Sequence, residues 1–253
     1  MKTMLLFAIG LAAAGTTRAD FTTPDAYGWT RGSANTTYGQ WDIFTAAAGP
    51  NAPDIGQFNP TGTPFNVYDS AGGSVITASG NIYSFTLPLN VHVIAPSYAL
   101  AGPAQTRVLL QVRTNGTEIA PSSINIGGVN PIHVIELYRQ NLGGGGPGGG
   151  GFLVDTLYEF RLSGNALSYE IRFNASDNYL SLDRVCVDTF TGAPECYANC
   201  DGSVGSPVLT ANDFQCFMDQ FVAGSSYANC DGVGGLTAND FQCFIDRYVA
   251  GCM

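Results

Sequence analysis

The end of the chain repeats itself, and that duplication limits what the chain can fold into more than any other feature. Tyr197-Ala-Asn-Cys-Asp-Gly leads to Thr210-Ala-Asn-Asp-Phe-Gln-Cys-Phe and closes on Phe221-Val-Ala-Gly. From Tyr227 the same elements return, through Thr237-Ala-Asn-Asp-Phe-Gln-Cys-Phe to Tyr248-Val-Ala-Gly. A unit of under thirty residues cannot bury an apolar face alone, so the copies, 196–225 and 226–253, should fold as one module. Each reads as a loop followed by a helix. Phe214, Phe217, Met218, Phe221 and Val222 recur at i, i+3, i+4, i+7 and i+8, and Phe241, Phe244, Ile245, Tyr248 and Val249 recur identically. Two short amphipathic helices with matching stripes are expected to pack on each other, with Gly224 and Gly251 ending them.

The loops carry oxygen ligands at regular spacing. Counted from Asn229, a twelve-residue window has Asn229 at position 1, Asp231 at 3, Val233 at 5, Gly234 at 6, Leu236 at 8, Thr237 at 9 and Asp240 at 12. That is the spacing of a helix–loop calcium site, with oxygens at 1, 3, 9 and 12, a glycine at the sharp turn and an apolar residue turned inward. Val233 offers only its backbone. The first loop supplies Asn199, Asp201, Ser203, Thr210 and Asp213, with three extra residues between Ser203 and Leu209. Calcium, a hard cation that takes six to eight oxygens, is the cofactor these residues suit, in weak sites because each loop has only two carboxylates. The competing reading needs no metal: Thr210-x-x-Asp213 and Thr237-x-x-Asp240 are also good helix N-caps. Both can hold at once.

The duplicated loop–helix resembles a dockerin, the bacterial module whose two calcium loops and helices form a pseudo-twofold pair that plugs into a cohesin-like partner. The Cys-Asp-Gly…Leu-Thr-Ala-Asn-Asp-Phe-Gln-Cys-Phe repeats, the closing Gly251-Cys252 and the preceding β-rich region are similar to bacterial GC-type dockerin domain-anchored proteins. The likeness covers about residues 196–253. It departs from cellulosomal dockerins in asparagine at position 1, in Val233, in the insertion of loop one and in its cysteines. The resemblance implies calcium in the loops and a cohesin-like or other surface protein as partner.

At the other end, a basic start, an apolar run of about a dozen residues and Thr17-Arg-Ala19 before Asp20 mark a secretory signal, 1–19, cleaved after Ala19. The apolar run is too short for a membrane span. The chain is therefore expected outside the cell or at its surface, with no transmembrane span in the mature form. Lys2 is the only lysine and goes with the signal, leaving a handful of arginines against 20 acidic residues. That balance argues against nucleic acid, and the missing lysine against a phosphate loop or Schiff-base enzyme.

Residues 20–192 form the main domain. Strand-like runs recur between turns: Phe65–Tyr68, Ser74–Thr77, Asn81–Leu87, Val91–Ile94, Arg107–Arg113, His133–Tyr138, Phe152–Leu162, Leu167–Phe173 and Leu180–Val187. Many strands and no long helix predict a mainly β fold, an antiparallel β-sandwich of jelly-roll type, followed by the small α-helical module. The glycine run 143–151 reads as a hairpin tip.

Nothing in the sandwich announces an active site. His92 and His133 sit within apolar strands, where satisfaction by a neighbour is the ordinary reading. No nucleophile elbow or His-Glu-x-x-His stretch occurs, so the expectation is a non-catalytic protein. Glu118, Glu136, Glu159 and Glu170 could in principle supply a glycosidase pair, which makes a polysaccharide-degrading hydrolase the third-ranked reading. The second is a carbohydrate-binding sandwich, with Trp29 and Trp41 stacking on sugars unless they belong to the core. Polysaccharide is thus a further possible partner. Asn35-Thr-Thr, Asn115-Gly-Thr and Asn174-Ala-Ser are glycosylation sequons that matter only in a host with that machinery, and the resemblance to bacterial proteins implies that they are silent.

Seven cysteines in an exported chain point to disulfides. Each repeat has one cysteine in its loop and one on its helix, making Cys200–Cys216 and Cys230–Cys243 the symmetric pairing. Cys196 is left with Cys186 or Cys252 as partner, and the odd thiol is Cys186 or Cys252. A free Cys252 would be available for attachment.

Overall fold

A computed structural model describes residues 21–101, 104–144, 150–192, 196–203 and 207–251. The signal segment, the insertion of loop one at 204–206 and Cys252 lie outside the described residues. Residues 36–192 form two antiparallel sheets, and two helices follow.

The larger sheet contains β1 (Thr36–Trp41), β2 (Ile55–Phe58), β4 (Val75–Ile76), β5 (Ile82–Tyr83), β7 (Gln105–Gly116), β9 (His133–Asn141), β10 (Phe152–Ser163) and β12 (Leu180–Gly192). Its main order is β2-β1-β12-β7-β10-β9, and the short β4–β5 pair joins it at β12. The smaller sheet contains β3 (Asn66–Asp69), β6 (Asn90–Pro96), β8 (Asn125–Ile126) and β11 (Ser168–Asn174), in the order β3-β6-β11-β8. From β6 onward the chain crosses repeatedly between sheets, which closes the sandwich with few neighbouring strands adjacent in sequence.

Alternation explains the core. Val108, Leu110 and Val112 on β7, Phe160 and Leu162 on β10, and Val185 and Val187 on β12 face Val67, Val91, Val93, Ile171 and Phe173 of the smaller sheet. Each such side chain, fully buried, contributes roughly 1.5–3 kcal/mol through apolar surface removed from water. Two glycines are dictated by close approach where β7, β10 and the turn before β12 converge. A Cβ on Gly116 would stand 2.2 Å from the Tyr179 carbonyl oxygen, and one on Gly151 2.1 Å from the Gly116 carbonyl oxygen.

The nine strand-like runs each meet a strand, and β1, β2 and β8 come in addition. The run Asn81–Leu87 shrinks to two paired residues, with Phe85 and Leu87 exposed beyond them. The polar face of β7 is not a solvent face. Residues 21–34 lie across it: Gln111 exchanges two hydrogen bonds with the backbone of Thr22, Arg107 donates to the Tyr27 carbonyl, and Trp29 packs against Leu109, Leu157 and Phe190. The same segment reaches β1, where Arg31 lies 3.7 Å over the Tyr38 ring and all six residues are buried. The glycine run joins β9 to β10, which pair as a hairpin; its residues 145–149 lie outside the described residues.

The helices α1 (Ala211–Val222) and α2 (Ala238–Ala250) form the duplicated module. The Phe217 and Phe244 rings stack at 4.0 Å and 11°, and both side chains are fully buried with Ala198 and Ala228. Tyr197 and Tyr227 also stack, at 4.9 Å, and each hydroxyl donates to the other's backbone carbonyl. Such reciprocity is what a twofold relation between the copies requires. The helical stripes run one residue short of expectation, for Val222 and Val249 are 82% and 79% exposed. Gly224 and Gly251 follow the helices at positive φ, 71° and 80°.

Candidate functional site

The two loops reach the helices through one repeated arrangement. Thr210 and Thr237 are N-caps, their hydroxyls accepting from the N–H groups of Asn212 and Asn239 at 3.2 Å. Asp213 and Asp240 complete the capping boxes, Oδ2 accepting from the N–H of Thr210 at 2.7 Å and of Thr237 at 2.8 Å. The other oxygen of each aspartate accepts from the loop, Asp201 N–H and Asp231 N–H, both at 3.2 Å. Each carboxylate, fully buried, therefore ties its loop to its helix.

Position 3 is also shared. Asp201 accepts from the Ser203 N–H, and Asp231 from the Val233 N–H, both at 2.9 Å. The Ser203 N–H holds the Asp201 carboxyl below its usual range, and the Thr237 N–H does the same for Asp240. These groups are therefore carboxylates at neutral pH. Ser203 turns its hydroxyl to the Val208 carbonyl, and the Val233 side chain is 71% exposed, leaving only its backbone to the loop.

Position 1 is the exception to full pairing. Asn199 donates through Nδ2 to the Ser203 carbonyl and Asn229 to the Gly234 carbonyl. Their carbonyl oxygens, Asn199 Oδ1 and Asn229 Oδ1, are buried and accept no hydrogen bond among the described residues. An unsatisfied buried acceptor costs about 1–3 kcal/mol, and the chain carries the same one twice. The donor set fits a hard cation: these amide oxygens, Asp201 and Asp231, the threonines, and buried aspartates whose oxygens have lone pairs beyond those used by the backbone. Among the described residues no group of three or more His, Cys, Asp or Glu is placed to hold a metal, so any site must draw on amides, hydroxyls and backbone carbonyls.

The bridges Cys200–Cys216 and Cys230–Cys243 are formed, with Cα–Cα separations of 5.7 and 5.8 Å. Cys196 is disulfide-bonded too, whereas Cys186 is a buried free thiol. The Cys186–Cys196 tie is thus not made, because Cys186 lies inside β12 beside Arg31 and Asp188.

The sandwich residues singled out in the sequence go elsewhere. Trp29 is 5% exposed and Trp41 fully buried, its indole N–H on the Asn51 carbonyl, so neither offers a ring to a sugar. Glu118 and Glu136 both bind Arg139, on the hairpin edge. Glu159 is buried between Arg107 and His133, whose Nδ1 is 2.9 Å from Oε2. Hydrogen bonds from Arg139 hold Glu118 below the usual range; for Glu159, burial pushes upward but His133 and Arg107 outweigh it. A glycosidase acid needs the opposite shift.

The molecule is therefore a β-sandwich followed by a duplicated, disulfide-braced loop–helix module. A scan against protein-family models and a search of curated proteins both find no match.

Proposed function

We propose that this is an exported protein whose C-terminal module binds calcium in one or both loops and docks on a partner protein, presenting the β-sandwich at the cell surface or in an extracellular assembly. The observation that carries this reading is the pair of buried oxygens, Asn199 Oδ1 and Asn229 Oδ1, without a partner among the described residues and at equivalent positions in loops that also contain ionised Asp201 and Asp240. A cation is the partner such oxygens lack. Asn199, Asp201, Ser203, Thr210 and Asp213 would hold it in the first loop, and Asn229, Asp231, Val233 through its backbone, Thr237 and Asp240 in the second.

Calcium supplies charge neutralisation and fixes the loops; the chain's own residues do the docking. Val222 and Val249, twenty-seven positions apart and almost equally exposed, give the twofold pair two equivalent apolar points for a partner. A cohesin-like surface protein is the partner class that the dockerin resemblance implies. The burial of Trp29 and Trp41 withdraws the main support for a carbohydrate-binding sandwich.

The deciding test replaces asparagine by aspartate. Asn229→Asp keeps the oxygen and adds a charge beside Asp231 and Asp240. If the loop holds calcium, affinity rises and the stripped protein is destabilised; if the loop is held by caps alone, Asn229→Asp lowers stability with or without calcium, and the proposal fails.

A further inference from the structure

The outer face of the smaller sheet brings together three residues that are far apart in sequence. Register sets Tyr68 of β3 and Arg172 of β11 on either side of His92 of β6, while their neighbours Val67, Val93 and Phe173 fill the core. His92 Nδ1 is 2.7 Å from Glu170 Oε1, and His92 Nε2 is 2.9 Å from the hydroxyl of Ser70, the residue that follows β3. The Tyr68 ring lies on the imidazole at 4.8 Å and 14°, which fixes its plane. Arg172 binds the second carboxylate oxygen of Glu170.

These contacts select the tautomer. Arg172 foremost, and His92 after it, hold the Glu170 carboxyl below its usual range, so the carboxylate accepts the proton on Nδ1. A neutral imidazole then has a bare Nε2, and the Ser70 hydroxyl donates to it. The backbone carbonyl of Asn90 is a competing acceptor at the longer distance of 3.3 Å. Ser70 is exposed, while His92 is only 9% exposed.

We propose that Ser70, His92 and Glu170 are a nucleophile, general base and orienting carboxylate that hydrolyse carboxylic esters. The geometry meets the general requirement, a nucleophile and base within about 2.6–3.2 Å and the base held by a third group. Ser70 Oγ attacks the ester carbonyl carbon and its proton passes to His92 Nε2. The carbon–oxygen bond to the alcohol breaks, and His92 returns the proton to the departing alkoxide, leaving an acyl-serine. Water, deprotonated by His92, then attacks that acyl group, and Ser70 recovers its proton as the carboxylic acid leaves. Gly72 and Gly73, just beyond the nucleophile, have positive φ (79° and 76°), and their N–H groups make no hydrogen bond among the described residues. An exposed nucleophile suits a short acyl group carried on a larger molecule. This inference goes beyond the expectation of a non-catalytic sandwich and does not depend on calcium.

The test uses the mature, full-length protein and an alkyl fluorophosphonate, in which Ser70 Oγ displaces fluoride from phosphorus. Peptide mapping should find the adduct on Ser70. Labelling should vanish in Ser70→Ala, slow by about 10²-fold or more in His92→Ala, and slow in Glu170→Gln, with p-nitrophenyl acetate turnover falling in the same order. Because Ser70 is exposed, Ser70→Ala should melt as the parent does. An unlabelled Ser70 in the folded parent, or a labelling rate indifferent to His92→Ala, would overturn the proposal and leave the three as a structural hydrogen-bonded row.

Discussion

Phe244→Ala removes the centre of the duplicated module. The ring is fully buried, stacks on Phe217 at 4.0 Å, and lies 6.0–6.3 Å from the rings of Tyr197, Phe214 and Tyr248. Truncating a buried phenylalanine costs about 3–5 kcal/mol. A core in a unit this small rarely supplies more than about 3–5 kcal/mol, so the substitution takes most of what packing provides. The bridges then decide the outcome. Cys200–Cys216 and Cys230–Cys243 span 16 and 13 residues, and closing loops of that length is worth about 3 kcal/mol each by restricting the unfolded chain. The oxidised variant should keep its helices with a lowered melting temperature, and the reduced variant should lose them. Among the described residues α1 and α2 are the only α-helices, so far-ultraviolet circular dichroism of the full chain reads this loss. Calcium at a hundred times its Kd should restore about 2.7 kcal/mol to the oxidised variant. A reduced Phe244→Ala protein with the parent's helical signal and melt would refute the view that one aromatic stack and the disulfides hold the module.

Other outcomes follow from the sandwich. Glu159 is held below its ordinary value of 4.5, so its contribution to stability is present above that pH and is lost as pH falls through the folded-state value. Glu159→Gln should cost about 1–3 kcal/mol at neutral pH and flatten the acid limb of the stability curve, measured by denaturation between pH 7 and acid. Burial pushes the Cys186 thiol well up, so alkylation mapping should leave Cys186 unmodified in the native protein and modify it in denaturant. Disulfide mapping should also find Cys196 in a bridge that spares Cys186. Trp41→Ala should destabilise the sandwich by about 3–5 kcal/mol without exposing a lost sugar site, as melting and glycan binding would show together.

The helices, their caps and their bridges were readable because each is a local pattern stated twice. Thr210 and Asp213 sit three residues apart, and the stripe residues recur every turn, so spacing alone places them on one face. Much of the sandwich was readable for the same reason, since alternation marks β7 and β11. What alternation could not show is that the polar face of β7 is covered. That depends on residues 21–34 folding back over Gln111 and Arg107 from nearly ninety positions away. β1 was missed because Gly39 interrupts its pattern, a glycine required where a Cβ would meet Phe65 and Pro53 at 3.0 Å. Ser70, His92 and Glu170 left no local signal. Three strands bring them together, and only the register of β3, β6 and β11 sets their distances.

The central claim concerns the two unpartnered asparagine oxygens, and calcium binding tests it most directly. Calorimetric titration of the oxidised, chelator-stripped protein should show saturable uptake of one or two ions, with helicity rising or melting shifted upward, and affinity reduced by Asn199→Ala or Asn229→Ala. No heat and no shift at millimolar calcium, with the helices already formed, would contradict the account and leave the caps and disulfides as the whole basis of the module.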